Sequence, residues 1–175
     1  IVSNYPTGCE SIWIERIKQT QQVISDYYKL SISAAVSDQA ASHTAITMRY
    51  SEALQMVKYK FIYGYQSVIT SAIASKHKSK IAAALTPDLE LRLEQCVKSH
   101  RLELTASCLD EILARNHDAD YDSLMMVLFQ IVFVFRRAIQ QMNQNRLVPV
   151  MDNAGDMYRS ILQLETIDQY KGKLL

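Results

Sequence analysis

Twelve residues, Leu124 to Phe135, run apolar with only Gln130 between them, and Arg136 and Arg137 close the run. A helix that crosses a bilayer needs roughly 20 such residues. The run is therefore read as part of a soluble core, a central helix from about Tyr121 to Gln144 buried on most of its circumference. Asp120 or Asp122 stands at its expected start, where a carboxylate caps free backbone N–H groups and meets the positive end of the helix dipole.

A helix buried to that extent needs other helices around it, and the composition supplies them. Four Gly and three Pro in 175 residues leave little turn chemistry, while 49% hydrophobic and 21% charged residues lie in the ordinary globular range. The expected fold is all-α: a single-domain helical bundle of about five long helices, with residues 1–8 as an N-terminal arm and 9–175 as the bundle domain.

Periodicity places the remaining helices. A first helix is expected to begin near Cys9 to Ser11, with Trp13, Ile17, Ile24, Tyr27 and Tyr28 on one face. The Ser- and Ala-rich stretch 31–47 reads as a break near Ser37, with Asp38 as a candidate N-cap. From Ile46 through Tyr50, Val57, Phe61, Tyr65 and Val68 to Ala72, three- and four-residue steps predict one long amphipathic helix. Gly64 within it is read as a close-packing position, not a break.

Thr86, Pro87 and Asp88 form a well-defined helix start. The helix after them is expected to run on to about Asn116, with Cys96, His100 and Cys108 on its inner face. A last helix is expected after Pro149, carrying Met151, Tyr158, Ile161 and Ile167 to a frayed basic end at Lys171 and Lys173.

Charge gives the main functional clue. Between Ala53 and Pro87 there is no Asp or Glu, yet Lys58, Lys60, Lys76, Lys78 and Lys80 lie there among Tyr59, Phe61, Tyr63 and Tyr65. Residues 39–80 carry six Lys or Arg, including Arg49, against Glu52 alone, a formal +5. Residues 81–125 reverse this, with four basic residues against nine acids, among them Asp88, Glu90 and Glu94, a formal −5. Two such segments can neutralise each other within one molecule or pair between molecules.

Motif chemistry is sparse. Asp118, Asp120 and Asp122 resemble the opening of a calcium loop, but Ser123 and Phe129 stand where that loop needs Gly and Glu, so helix capping accounts for the acids. Cys96, His100 and Cys108 match no zinc-ligand spacing and read as core residues. No nucleophile elbow, metalloprotease helix, P-loop or dinucleotide fingerprint occurs, so neither a metal, a cofactor nor an enzyme is expected.

Three cysteines without paired spacing suggest a reducing, intracellular (cytoplasmic) compartment. The chain opens on Ile1 with no basic-then-apolar leader, which reads as a trimmed start. The expected function is a non-enzymatic protein-interaction or scaffold module. It would bind a protein partner or itself through Arg49, Lys58, Lys60, Lys76, Lys78 and Lys80 on one side and Asp88, Glu90 and Glu94 on the other. The alternative is a nucleic-acid-binding domain that turns the same lysines to phosphates and stacks bases on Tyr59, Tyr63 and Tyr65. A bundle that holds an apolar ligand is a further alternative.

Overall fold

The computed structural model describes residues 10–77, 84–144 and 162–175. The fold is predominantly α-helical. Contacts group into two compact units, residues 1–75 and 76–175, and each is described by itself. The N-terminal arm, Lys78, Lys80 and the start proposed for the last helix lie outside the described residues.

In the first unit, α1 (Glu10–Tyr28) ends where Lys29 takes a left-handed conformation (φ 55°) and its N–H bonds to the carbonyl of Ser25 at 3.0 Å. That single bond satisfies a terminal carbonyl without glycine. The break expected near Ser37 contains a short strand β1 (Ala34–Val36), and α2 (Ala45–Met56) follows. Thr44, not Asp38, occupies the N-cap of α2, without a side-chain cap bond.

The long helix expected from Ile46 to Ala72 is corrected here. A 3₁₀ turn (Val57–Tyr59) follows α2, and α3 (Lys60–Tyr63) stops at Gly64. Gly64 has φ 79° and ψ −170°, a backbone state essentially reserved for glycine, and a Cβ built there would touch nothing within 4 Å. Its role is chain reversal, not close packing. Strand β2 (Val68–Thr70) comes next and pairs parallel with β1, Ala35 opposite Ile69, before α4 (Ser71–Ser75). Three-residue strands are too short to show an alternating pattern in sequence.

Gln21, 5% exposed, is the buried residue of α1, and its Nε2 donates to the carbonyls of Ile32 at 2.8 Å and Ser67 at 3.4 Å. A polar side chain thus ties α1 to the segments that lead into both strands. Tyr27 and Tyr28, expected on the inner face, are 81% and 70% exposed.

In the second unit, α5 (Pro87–Lys98) starts as the sequence predicts, with Thr86 Oγ1 accepting from the N–H of Leu89. The expected continuation to Asn116 is broken at Ser99–Arg101. His100 adopts φ 53°, its N–H bonds to the Val97 carbonyl at 3.1 Å, and the Arg101 N–H bonds to the Cys96 carbonyl at 3.4 Å. These two bonds close a helix end that usually carries glycine. His100 is consequently exposed, and the buried histidine is His77, whose Nδ1 lies 3.1 Å from the Ala119 carbonyl.

Helix α6 (Leu102–Arg115) leads to α7 (Tyr121–Asn143), the predicted central helix. Asp120 Oδ1 accepts from the Ser123 N–H at 3.0 Å and Oδ2 from the Ser123 hydroxyl at 2.5 Å. Those bonds hold the Asp120 carboxyl below its usual range. Leu124, Leu128, Ile131 and Val132 of α7, Leu93 of α5, and Cys108, Leu109 and Ile112 of α6 are all fully buried. Burial pushes the Cys108 thiol up, which makes it a weak nucleophile. The basic end is helical, α8 (Ile167–Leu174), capped by Thr166. Its Tyr170 is buried and donates its hydroxyl proton to the Leu128 carbonyl at 2.8 Å, while Lys171 pairs with Asp110.

Candidate interaction surface

The charged residues singled out in the sequence fall into separate local settings. Arg49 on α2 is held by Glu52 at 2.7 Å, one turn along, and by Asp38 at 3.8 Å. Lys58 and Lys60 are half-buried in and beside the 3₁₀ turn, and Lys76 is exposed. Tyr59 and Phe61 between them are core residues, so neither offers a ring face to solvent, whereas Tyr63 and Tyr65 are exposed.

Two of the acids of α5, Glu90 and Glu94, have partners inside their own unit. Glu94, buried on α5, receives Lys98 at 2.5 Å from one turn ahead and Arg137 of α7 at 2.7 Å. Glu90 lies 3.6 Å from the same guanidinium, and Lys98 also reaches Gln141. The hydrogen bond from Lys98, with help from Arg137, keeps the Glu94 carboxyl below its usual range despite its burial. Asp88 is exposed in the first turn of α5, where it complements the helix dipole.

Beside this cluster runs a groove of about 410 Å³ between α5 and α7. Phe133 and Val134 form its apolar part, with Glu90, Arg136 and Arg137 along its edge. The Nε of Arg136 is buried and has no hydrogen-bond partner. Among the described residues, three cations (Lys98, Arg136, Arg137) and two carboxylates (Glu90, Glu94) stand along this edge.

Sequence reasoning missed the apolar surface. On α7, Met126 is 64% and Phe133 59% exposed, although both belong to the run read as core. At 3.6 residues per turn these two positions lie close together on one side of the helix, so the angular spacing held the signal that the hydrophobic run concealed. In the first unit, Val23, Tyr27, Tyr28, Leu30 and Ile32 are all exposed along the end of α1 and its exit.

Among the described residues no group of three or more His, Cys, Asp or Glu is placed to hold a metal ion, and no helix is long and apolar enough to cross a membrane. Comparison with known protein families, curated proteins and solved structures finds no match.

Proposed function

We propose that the chain is a non-enzymatic helical module that binds another protein. The observation that carries this reading is the exposure of Val23, Tyr27, Tyr28, Leu30 and Ile32 within ten positions at the end of α1 and its exit. Single exposed apolar residues are ordinary on a monomer, but five within ten positions, two of them tyrosines, have the composition of a contact surface. Tyrosine supplies large contact area with few rotatable bonds, so it binds at low entropic cost.

Charge then has a secondary role. Glu90, Glu94 and Arg49 already have partners in their own units, and the affinity of the module comes from apolar contact, with Lys76 and other surface charges acting on encounter and orientation. The burial of Tyr59 removes one of the three rings that base stacking would use, which favours a protein partner over a single-stranded nucleic acid.

The test is a photo-crosslinking amino acid, p-benzoylphenylalanine, in place of Tyr28 in the source cells. The expected result is one or a few discrete adducts that protease removes, and that weaken when Tyr27→Ser and Leu30→Ser are added. Adducts removed by nuclease instead, or none at Tyr28 and at Leu30, would refute the reading.

A further inference from the structure

Taken with the residues before it, β1 belongs to a longer pattern. From Leu30 to Ser37 the sequence is Leu-Ser-Ile-Ser-Ala-Ala-Val-Ser, with Leu30, Ile32, Ala34 and Val36 at alternate positions and small residues between them. A period of two is the signature of an extended strand that sets one series of side chains on one face. These eight residues contain neither a charge nor a proline, and Lys29 and Asp38 bound them. Pairing with β2 covers Ala34–Val36, while Leu30 and Ile32, 61% and 42% exposed, carry the larger series beyond it.

The ladder fixes which way the backbone of β1 turns. In a parallel pair, the N–H and C=O of one residue turn to the neighbouring strand and those of the next residue turn away. The Ala34 N–H donates to the Ser67 carbonyl at 2.9 Å, so Ala34 and Val36 turn to β2 and Ala35 turns from it. Gln21 carries the alternation one step back, since its Nε2 donates to the Ile32 carbonyl and to that same Ser67 carbonyl. Ile32 therefore turns with Ala34, and Ser33 turns outward with Ala35. Among the described residues, no hydrogen bond is made by the N–H or C=O of Ser33 or Ala35. Neither residue is buried.

Backbone donors and acceptors left open at a spacing of two form a template for another strand, and protein edges usually carry a charge or a proline that prevents such pairing. This edge carries neither. We infer that it takes up an extended, uncharged segment of the partner protein, with apolar side chains at alternate positions, as a third strand beside β1. The segment is extended because Ser33 and Ala35 offer N–H and C=O at strand spacing. It is apolar at alternate positions because Leu30 and Ile32 lie on one face, and uncharged because residues 30–37 hold no countercharge. The edge continues directly from Tyr27 and Tyr28, so the inference rests on the interaction reading and deepens it by naming how the partner is held.

The test uses the whole purified chain and a capped heptapeptide, Thr-Val-Thr-Val-Thr-Val-Thr. A short added strand binds weakly, so the peptide is supplied at about 1 mM. Amide exchange at Ser33 and Ala35 should then slow by about fivefold or more, because strand addition engages those N–H groups. The peptide Thr-Val-Thr-Asp-Thr-Val-Thr should protect them at least about threefold less. Ala35→Pro removes the outward N–H and spares those of Ala34 and Val36, at a place where an edge strand admits proline. It should abolish protection of Ser33 and leave exchange across Val68–Thr70 unchanged without peptide, whereas Ala35→Val should retain protection. If Ala35→Pro loosens Val68–Thr70, the two peptides on the unsubstituted chain decide.

Absent protection at Ser33 and Ala35, equal protection by the Asp peptide, or protection of Ser33 that survives Ala35→Pro would each overturn the proposal. So would a dimer of the chain alone in sedimentation equilibrium that Ala35→Pro dissociates, which would give the edge to a second copy. The Tyr28 crosslink is scored in cells without the peptide. Adducts there that persist with Ala35→Pro would refute strand addition and leave the interaction reading standing.

Discussion

Two helices of comparable length, α1 with 19 residues and α7 with 23, are held by different means. Helix α7 sends nine residues into the buried core, eight of them large or branched apolar side chains and the ninth Ala138. Helix α1 buries one residue, and that residue is Gln21, fixed by bonds to two backbone carbonyls. Apolar burial has no preferred direction, so α7 can turn a whole side to the core and still leave one strip outward. A side-chain amide works only at hydrogen-bonding distance, and Val23, Tyr27 and Tyr28 of α1 stay exposed.

The contrast is broken most forcefully at Leu128. Leu128→Ala should destabilise the second unit by about 2–5 kcal/mol, the usual cost of emptying a filled core position. Urea denaturation followed by amide exchange in α5 to α7 would show it, and a loss below 1 kcal/mol would mean that α7 is less firmly packed than its burial implies. Gln21→Leu comes next. Replacing the amide removes the donor given to the Ile32 carbonyl and should cost about 1–3 kcal/mol, read as faster exchange across Ala34–Val36 and Val68–Thr70. An unchanged exchange pattern would mean that apolar contact, not the amide, holds α1.

The smallest effect sharpens the comparison at the rim of the second unit. Because the folded state lowers the carboxyl pKa of Glu94, the stability it contributes is present above the ordinary carboxylate range and is lost as pH falls through the lowered value. Stability measured by chemical denaturation should therefore fall with acidification below about pH 4, and Glu94→Gln should flatten that limb. Equal slopes for the two proteins would show that the contacts of Glu94 with Lys98 and Arg137 add no pH-dependent stability.

Much of the second unit was legible because its signals are local. Thr86 with Pro87 and Asp120 with Ser123 are short-range capping patterns, and a twelve-residue apolar run marks a core helix whatever surrounds it. The helix end at His100 was not legible, since a non-glycine residue supplies the left-handed turn there. Lys29 conceals the end of α1 in the same way. Gly64 did carry a stop signal, but helical spacing before and after it made the two halves look continuous.

The candidate site was less legible than the fold. The charge runs are real features of the chain, yet sequence alone does not show that Arg137 reaches Glu94 from 43 positions away. Nor does it separate inward from outward apolar residues within a run as dense as 124–135 until one side of the helix is fixed. Once Leu128 and Ile131 are known to be buried, the outward position of Met126 and Phe133 follows from helical geometry.

The parallel pairing of β1 with β2 bears on how the chain comes into being. Parallel strands cannot be joined by a tight turn, and here everything from residue 37 to residue 67 lies between them. During synthesis β1 must wait until Thr70 has left the ribosome, and closing that long connection is entropically costly before any strand contact repays it. The first unit is made first, yet its paired strands lie 34 positions apart, as Ala34 opposite Val68, whereas α5 and α6 meet through a three-residue turn. The expected order of maturation therefore runs against the order of translation: the α5–α6 hairpin forms promptly on emergence, and the β1–β2 pair sets the slower step.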